Sequence, residues 1–300
     1  MQVSKLHTLT GHSDCVYTLA CGSAGYDVFS AAGDGMVVQW DLQSPQTGKL
    51  VARLPNSVYA LHYHTPSGQL IAGQNFEGLH LLDVEKHRQV ASLKITDSYI
   101  FDIQSYGNWI VAACGDGRVV VVDLDSWKIV KTLKDSDKSA RALAINPVTG
   151  ELAVGYSDCQ IRTFDLDGFR LKQSWPAHAN SVFTVAYSPG GQFLYSGSRD
   201  AHLKLWDTSD NHSLQADVVA HLFTINHIAF SPDGKHFVTC SMDKSIKVWR
   251  RDDSSLLKVI DKGRHAGHGT SVNKVVWTTF NNQLISASDD RTLSVWDIIF

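Results

Sequence analysis

Three residue types that together perform acyl-transfer chemistry recur along this 300-residue chain at fixed spacing. With Trp40, Trp206, Trp249 and Trp296 as markers, an Asp stands six residues earlier in each case: Asp34, Asp200, Asp243 and Asp290. A hydroxyl stands ten residues earlier (Ser30, Ser196, Thr239, Ser286) and a His 28 residues earlier (His12, His178, His221, His268). Ser, His and Asp are the nucleophile, general base and orienting carboxylate of a hydrolase triad. A hydrolase keeps one such set in one cleft. This chain has four copies in strict register and no Gly-x-Ser-x-Gly elbow. The pattern therefore points to a repeated structural network, whose partly buried polar groups must satisfy one another. No residue is assigned a catalytic role.

Other chemistry-bearing residues lead no further. His62 and His64 share a strand face and could hold a metal, but no third ligand stands nearby. His265 sits close to His268, and Asp252-Asp253 reads as a solvated turn. There is no phosphate loop and no His-Glu-x-x-His zinc helix. No metal and no cofactor is expected.

The elements that position these residues follow from the repeat. Weaker copies end at Leu82, Val122 and Phe164, each followed by Asp (Asp83, Asp123, Asp165). The seven end-points, 40, 82, 122, 164, 206, 249 and 296, are 40 to 47 residues apart. A period of about 43 residues suits a four-stranded propeller blade rather than a helical hairpin. Short β-forming runs such as Phe183–Tyr187 alternate with turn chemistry such as Ser188-Pro189-Gly190-Gly191 and Ser231-Pro232-Asp233-Gly234. No amphipathic helical stretch of useful length interrupts them.

Composition narrows the class. Hydrophobic residues make up 43% and charged residues 19%, which is globular rather than disordered. Lys and Arg total 27 against 30 Asp and Glu, a net charge of −3, which speaks against a general nucleic-acid binder. No run is long enough to span a bilayer and no apolar leader opens the chain, so neither membrane nor secretory targeting is expected. The five cysteines (Cys15, Cys21, Cys114, Cys159, Cys240) are odd in number and form no Cys-x-x-Cys pair. Free thiols in a reducing compartment are expected, and with them a cytoplasmic protein.

At Gly11-His12, Ala177-His178, Ala220-His221 and Gly267-His268, and at Trp40-Asp41, Trp206-Asp207 and Trp296-Asp297, the chain resembles the WD-repeat (WD40-type) family. The resemblance implies an all-β, seven-bladed propeller formed by residues 1–300 as a single domain. It also implies that the recurring His, hydroxyl, Asp and Trp link strands within a blade. The chain stops four residues past Trp296, leaving no room for the last outer strand. Residues 5–9 are therefore expected to supply that strand and close the ring, removing two open sheet edges. Blades two to four carry Leu82, Val122 and Phe164 at the Trp position, and Ala72, Ala112 and Val154 at the hydroxyl position. Asp116 and Asp158 keep the turn carboxylate, but Phe76 replaces it in blade two. Apolar packing is expected to substitute for the polar network in all three.

In propellers of this kind the start of each inner strand and the residue before the turn Asp face one surface. Counting from the His and Trp positions gives Tyr17, Tyr59, Phe101, Arg141, Phe183, Asn226 and Asn273 for the first set. Tyr99 stands two residues before Phe101; Arg199 and Met242 precede their turn Asp, while Asp289 is the one carboxylate on the rim. Aromatics and Arg are the residues enriched in binding hot spots, and Arg pairs carboxylates bidentately. These residues are expected to form a partner-binding face. The expected activity is a non-enzymatic scaffold for a protein or peptide with an acidic residue and an apolar anchor. It would be a monomer on its own, with no nucleic-acid or membrane partner. The alternative is a propeller enzyme or small-ligand binder with its site at the channel mouth.

Overall fold

The computed structural model describes residues 1–300. Its 28 strands form seven four-stranded antiparallel sheets, the all-β, seven-bladed propeller that the repeat led us to expect. Six blades use four consecutive strands each. The first, for example, runs Val16–Cys21, Asp27–Ala32, Met36–Asp41 and Lys49–Arg53.

Burial explains the composition of the strands. The middle strands lie between neighbouring sheets and are apolar on both faces; Val119, Val120, Val121 and Val122 in the strand Arg118–Asp123 are all fully buried. Outer strands such as Leu171–Pro176 have solvent on one side and alternate between exposed and half-buried positions.

The chain divides into two compact units. One holds Met1–Gln74, His80–Ser92 and Ala229–Phe300; the other holds Asn75–Leu79 and Leu93–Ile228. In the first unit, apolar clusters lock blade one to blade two (Phe29, Leu61, Leu70) and to blade seven (Val16, Trp40, Val295). In the second, Leu143, Tyr156 and Phe164 of blade four pack on Val111 and Val121 of blade three, and Ile161 packs on Trp206 of blade five.

The seventh blade closes the ring. Its strands Val272–Trp277, Leu284–Ser288 and Thr292–Ile299 are joined by the outer strand Gln2–Thr10 from the other end of the chain. The pairing is antiparallel, with Lys5 opposite Trp296 and Leu9 opposite Leu293, and a register shift between Lys5 and His7. This strand is longer than the 5–9 segment expected. The wider spacing before Trp296 holds a short helix, Lys262–His265, capped by the Asp261 side chain accepting from the Arg264 amide. No helix is long and apolar enough to cross a membrane.

Candidate functional site

The repeated His, hydroxyl, Asp and Trp residues meet. In blade five the Trp206 indole N–H donates to Ser196 Oγ at 2.9 Å, and Ser196 Oγ lies 2.8 Å from His178 Nε2. His178 Nδ1 then faces the Asp200 carboxylate at 3.1 Å. Blade one repeats this with Trp40, Ser30, His12 and Asp34, and blade seven with Trp296, Ser286, His268 and Asp290. In blade six the Trp249 indole donates to Thr239 at 2.9 Å, and Asp243 accepts from the Ser245 amide and hydroxyl.

The connectivity is that of a triad, but the chemistry is not available. The hydroxyls of Ser30, Ser196, Thr239 and Ser286 are fully buried, and each already accepts from a Trp indole. Donation from Trp to Ser to His to Asp needs a neutral imidazole with its proton on Nδ1. Burial keeps His12 and His178 below the usual imidazole range despite the neighbouring carboxylates. Burial alone would raise the Asp200 carboxyl; the His178 hydrogen bond and the amides of His202 and Ala179 outweigh it and hold the group well below the ordinary range. Ser196→Ala leaves the Trp206 indole and His178 Nε2 unpaired, so it is expected to cost about 1–3 kcal/mol. Ser196→Thr, the hydroxyl blade six uses, should cost less. Paired urea titrations check both.

Blades three and four correct one expectation. Their turn carboxylates are not abandoned to apolar packing. Thr96 donates to Asp116 at 2.8 Å and Arg118 forms a two-nitrogen bond to it. Ser136 donates to Asp158 at 2.7 Å, and Arg162 pairs with Asp158 at 2.8 Å while lying over the Tyr156 ring. Ser136 stands 22 residues before Asp158, the spacing of His12 to Asp34. A hydroxyl thus occupies the His position, and an Arg supplies the charge. Only blade two lacks the carboxylate altogether.

The rim residues fall into two groups. In the unit containing blades three to five, the starts of three successive inner strands place Phe101, Arg141 and Phe183 side by side. The Arg141 guanidinium lies 4.5 Å from the Phe101 ring centre and 4.3 Å from that of Phe183, a cation held between two π faces. Tyr99 stacks on Phe101 at 5.6 Å and 23°, extending the row. Arg141 Nε donates to Ser157 Oγ at 2.7 Å, which fixes the guanidinium plane and leaves both terminal nitrogens without a partner. Burial, then the nearby Arg199 cation, pull Arg141 below the usual guanidinium range, and no carboxylate offsets them. Half-buried Asn226 is the second residue of the next inner strand, Ile225–Phe230.

In the other unit Tyr17 and Tyr59 meet edge to face at 4.4 Å. Burial and Tyr59 raise the Tyr17 phenol well above its ordinary range, so it stays protonated. Asn273 donates to the Val16 carbonyl and to Asp289, stitching blade seven to blade one. Met242 is 56% exposed. His64 Nδ1 lies 2.8 Å from Ser67 Oγ, and burial lowers His62 to about 4.

Sequence reasoning missed one member of the row. Phe76 packs on Tyr99 with ring centres 4.9 Å apart and remains 45% exposed. An aromatic side chain at a turn-Asp position was the available signal, and it read only as a lost network. The row Phe76, Tyr99, Phe101, Arg141, Phe183 is therefore apolar at one end and cationic towards the other.

Comparison with known proteins agrees with the fold. The family model described as WD domain, G-beta repeat matches residues 3–41, 169–207, 213–250 and 261–297, just over half of the chain. The unmatched stretch covers the degenerate blades two to four. The chain is 22% identical over 251 residues to a striatin homolog of Dictyostelium discoideum, covering 71% of this chain and 30% of that protein. It is 21% identical over 312 residues to the WD repeat-containing protein 26 homolog of Arabidopsis thaliana, covering 99% and 43%. It is 23% identical over 215 residues to protein groucho of Drosophila melanogaster, covering 68% and 29%. The alignments thus span well under half of each of these relatives.

Proposed function

The chain belongs to the WD-repeat family, and from that premise we propose that it is a non-enzymatic scaffold that docks a protein or peptide on its aromatic and arginine-rich face. The observation that carries this reading is the Arg141 guanidinium, clamped between Phe101 and Phe183 with both terminal nitrogens open. A half-buried cation beside a second cation is costly to keep unless an anion completes it. A carboxylate in the guanidinium plane would accept two charge-assisted bonds. The partner is therefore an acidic segment with an apolar anchor. Rigid strands hold the receiving residues, so little ordering entropy opposes binding. The reading has the chain acting as a single propeller domain, monomeric on its own and cytoplasmic, with neither nucleic acid nor membrane as partner. The five free thiols support the compartment.

The test immobilises the full chain and a Phe101→Ala, Arg141→Glu, Phe183→Ala variant of equal melting temperature and exposes both to native cell extract. A protein held by the first and lost by the second is the expected result. A protein held equally by both would overturn the assigned face, and capture by neither would overturn the scaffold reading.

A further inference from the structure

The turn between the second and third strands of blade two differs from the other six in backbone as well as sequence. In those six the left-handed residue follows the Asp: Gly35, Gly117, Cys159, Ala201, Lys244 and Arg291, with φ between 69° and 85°. In blade two it is Phe76 itself, at φ 67°, one position earlier. A bulky side chain pays a steric cost there that Gly or Asn largely avoids. Lys244 and Arg291 hold a similar angle in their own turns, so what sets blade two apart is that the left-handed residue stands at the turn-Asp position, and such a placement persists only where the surroundings hold it. The neighbour supplies the hold: Asn75 is buried, and its Oδ1 accepts from the Ile100 amide at 3.0 Å. The turn is thereby pinned to the strand that carries Phe101, and the Phe76 ring is set against Tyr99 rather than turned to solvent alone.

Phe76 at 45% and Tyr99 at 40% exposure form a paired aromatic surface. From it the row runs through Phe101 to Arg141 in steps of 4.9, 5.6 and 4.5 Å. We propose that Phe76 and Tyr99 seat a large apolar or aromatic side chain of the partner whose carboxylate meets Arg141. The partner segment is extended, and its apolar residue lies three or four positions from the acidic one. This rests on the function proposed above. The spacing follows from the row, at most about 15 Å long, and from an extended chain's reach of roughly 3.3–3.6 Å per residue. The occupant is a polypeptide of this composition because the surface offers one cationic fork and one apolar seat.

The experiment pans a random nine-residue peptide display library on the full chain, on Phe76→Asn and on Arg141→Glu, and compares the recovered sequences. The intact chain should enrich Asp or Glu with a large apolar residue three or four positions away. Phe76→Asn should keep the acidic enrichment, lose the apolar one, and weaken binding of the selected peptides about tenfold. Its melting temperature should stay level or rise by about 2 °C as the strain is relieved. Arg141→Glu should lose the acidic enrichment. If Phe76→Asn retains the apolar preference, or melts well below the intact chain, this inference fails while the function proposed above stands. If the intact chain shows no acidic preference, both fail together.

Discussion

Deleting residues 1–10 is expected to lower the melting temperature by roughly 10 °C or more and to make the protein aggregate on heating. The effect is large because the strand Gln2–Thr10 is paired along its length with Thr292–Ile299. Its removal opens a new sheet edge and strips cover from Trp296, which is otherwise fully buried. Leu9, buried among Val16, Leu293 and Val295, leaves the cluster that joins blades seven and one. Lys5, whose ammonium donates to the Ala266 carbonyl and lies 5.6 Å from the Trp296 ring centre, goes with it. An unpaired strand of this length is a template for association. Scanning calorimetry with light scattering reads both effects. Unchanged melting of the truncated chain would contradict the closure.

The second large effect is expected at Glu151, which is 4% exposed between blades four and five. Its carboxylate receives the Lys172 ammonium at 2.6 Å and the Tyr187 hydroxyl at 2.7 Å, with His212 Nε2 at 3.1 Å. His212 stacks on Trp175, so the hub also fixes an aromatic pair. Burial alone would raise the Glu151 pKa; the bonds from His212, Lys172 and Tyr187 outweigh it and bring it down to about 2. Glu151→Ala leaves the half-buried Tyr187 phenol without its acceptor and the exposed Lys172 ammonium free to turn to water, so a loss of about 1–3 kcal/mol is expected at pH 7. The pH dependence has a definite sign. A depressed carboxylate stabilises above its unfolded pKa of about 4.3, and the contribution is lost as pH falls through about 2. The stability gap between the intact chain and Glu151→Gln should therefore hold steady from pH 7 to 5 and narrow below about pH 4. Urea titrations across that range test it. A gap under about 0.5 kcal/mol at pH 7 would contradict the assigned hub.

The blades were legible because each is a local unit whose register repeats. Trp206 and Asp200 belong to one hairpin, Trp206 on a strand opposite Leu194 and Asp200 in the turn, so their spacing is fixed by the hairpin that holds them. The closing strand was legible for the same reason, from its place before Gly11-His12. The Arg141 row was legible in part, since inner-strand starts recur with the period. Three features were not. Thr96 and Ser136 took the place of His with a different residue type, so a search by identity passed over them. Phe76 owes its role to a backbone angle, which a residue name does not carry. Glu151 gathers its partners from a strand in its own blade, the inner strand of the next and a turn near His212, with no common spacing.

The central claim is that Arg141, held between Phe101 and Phe183, reads a carboxylate on a protein partner. A charge-exchange cycle tests it most directly, using the captured partner or a selected peptide and titrating four combinations by calorimetry. These are both intact, Arg141→Glu alone, the partner's acidic residue changed to Lys alone, and both together. Each single change is expected to weaken binding at least about tenfold, and the pair to recover to within a few-fold of the start. Equal affinity of Arg141→Glu and the intact chain, or a double variant as weak as its two losses combined, would contradict the account.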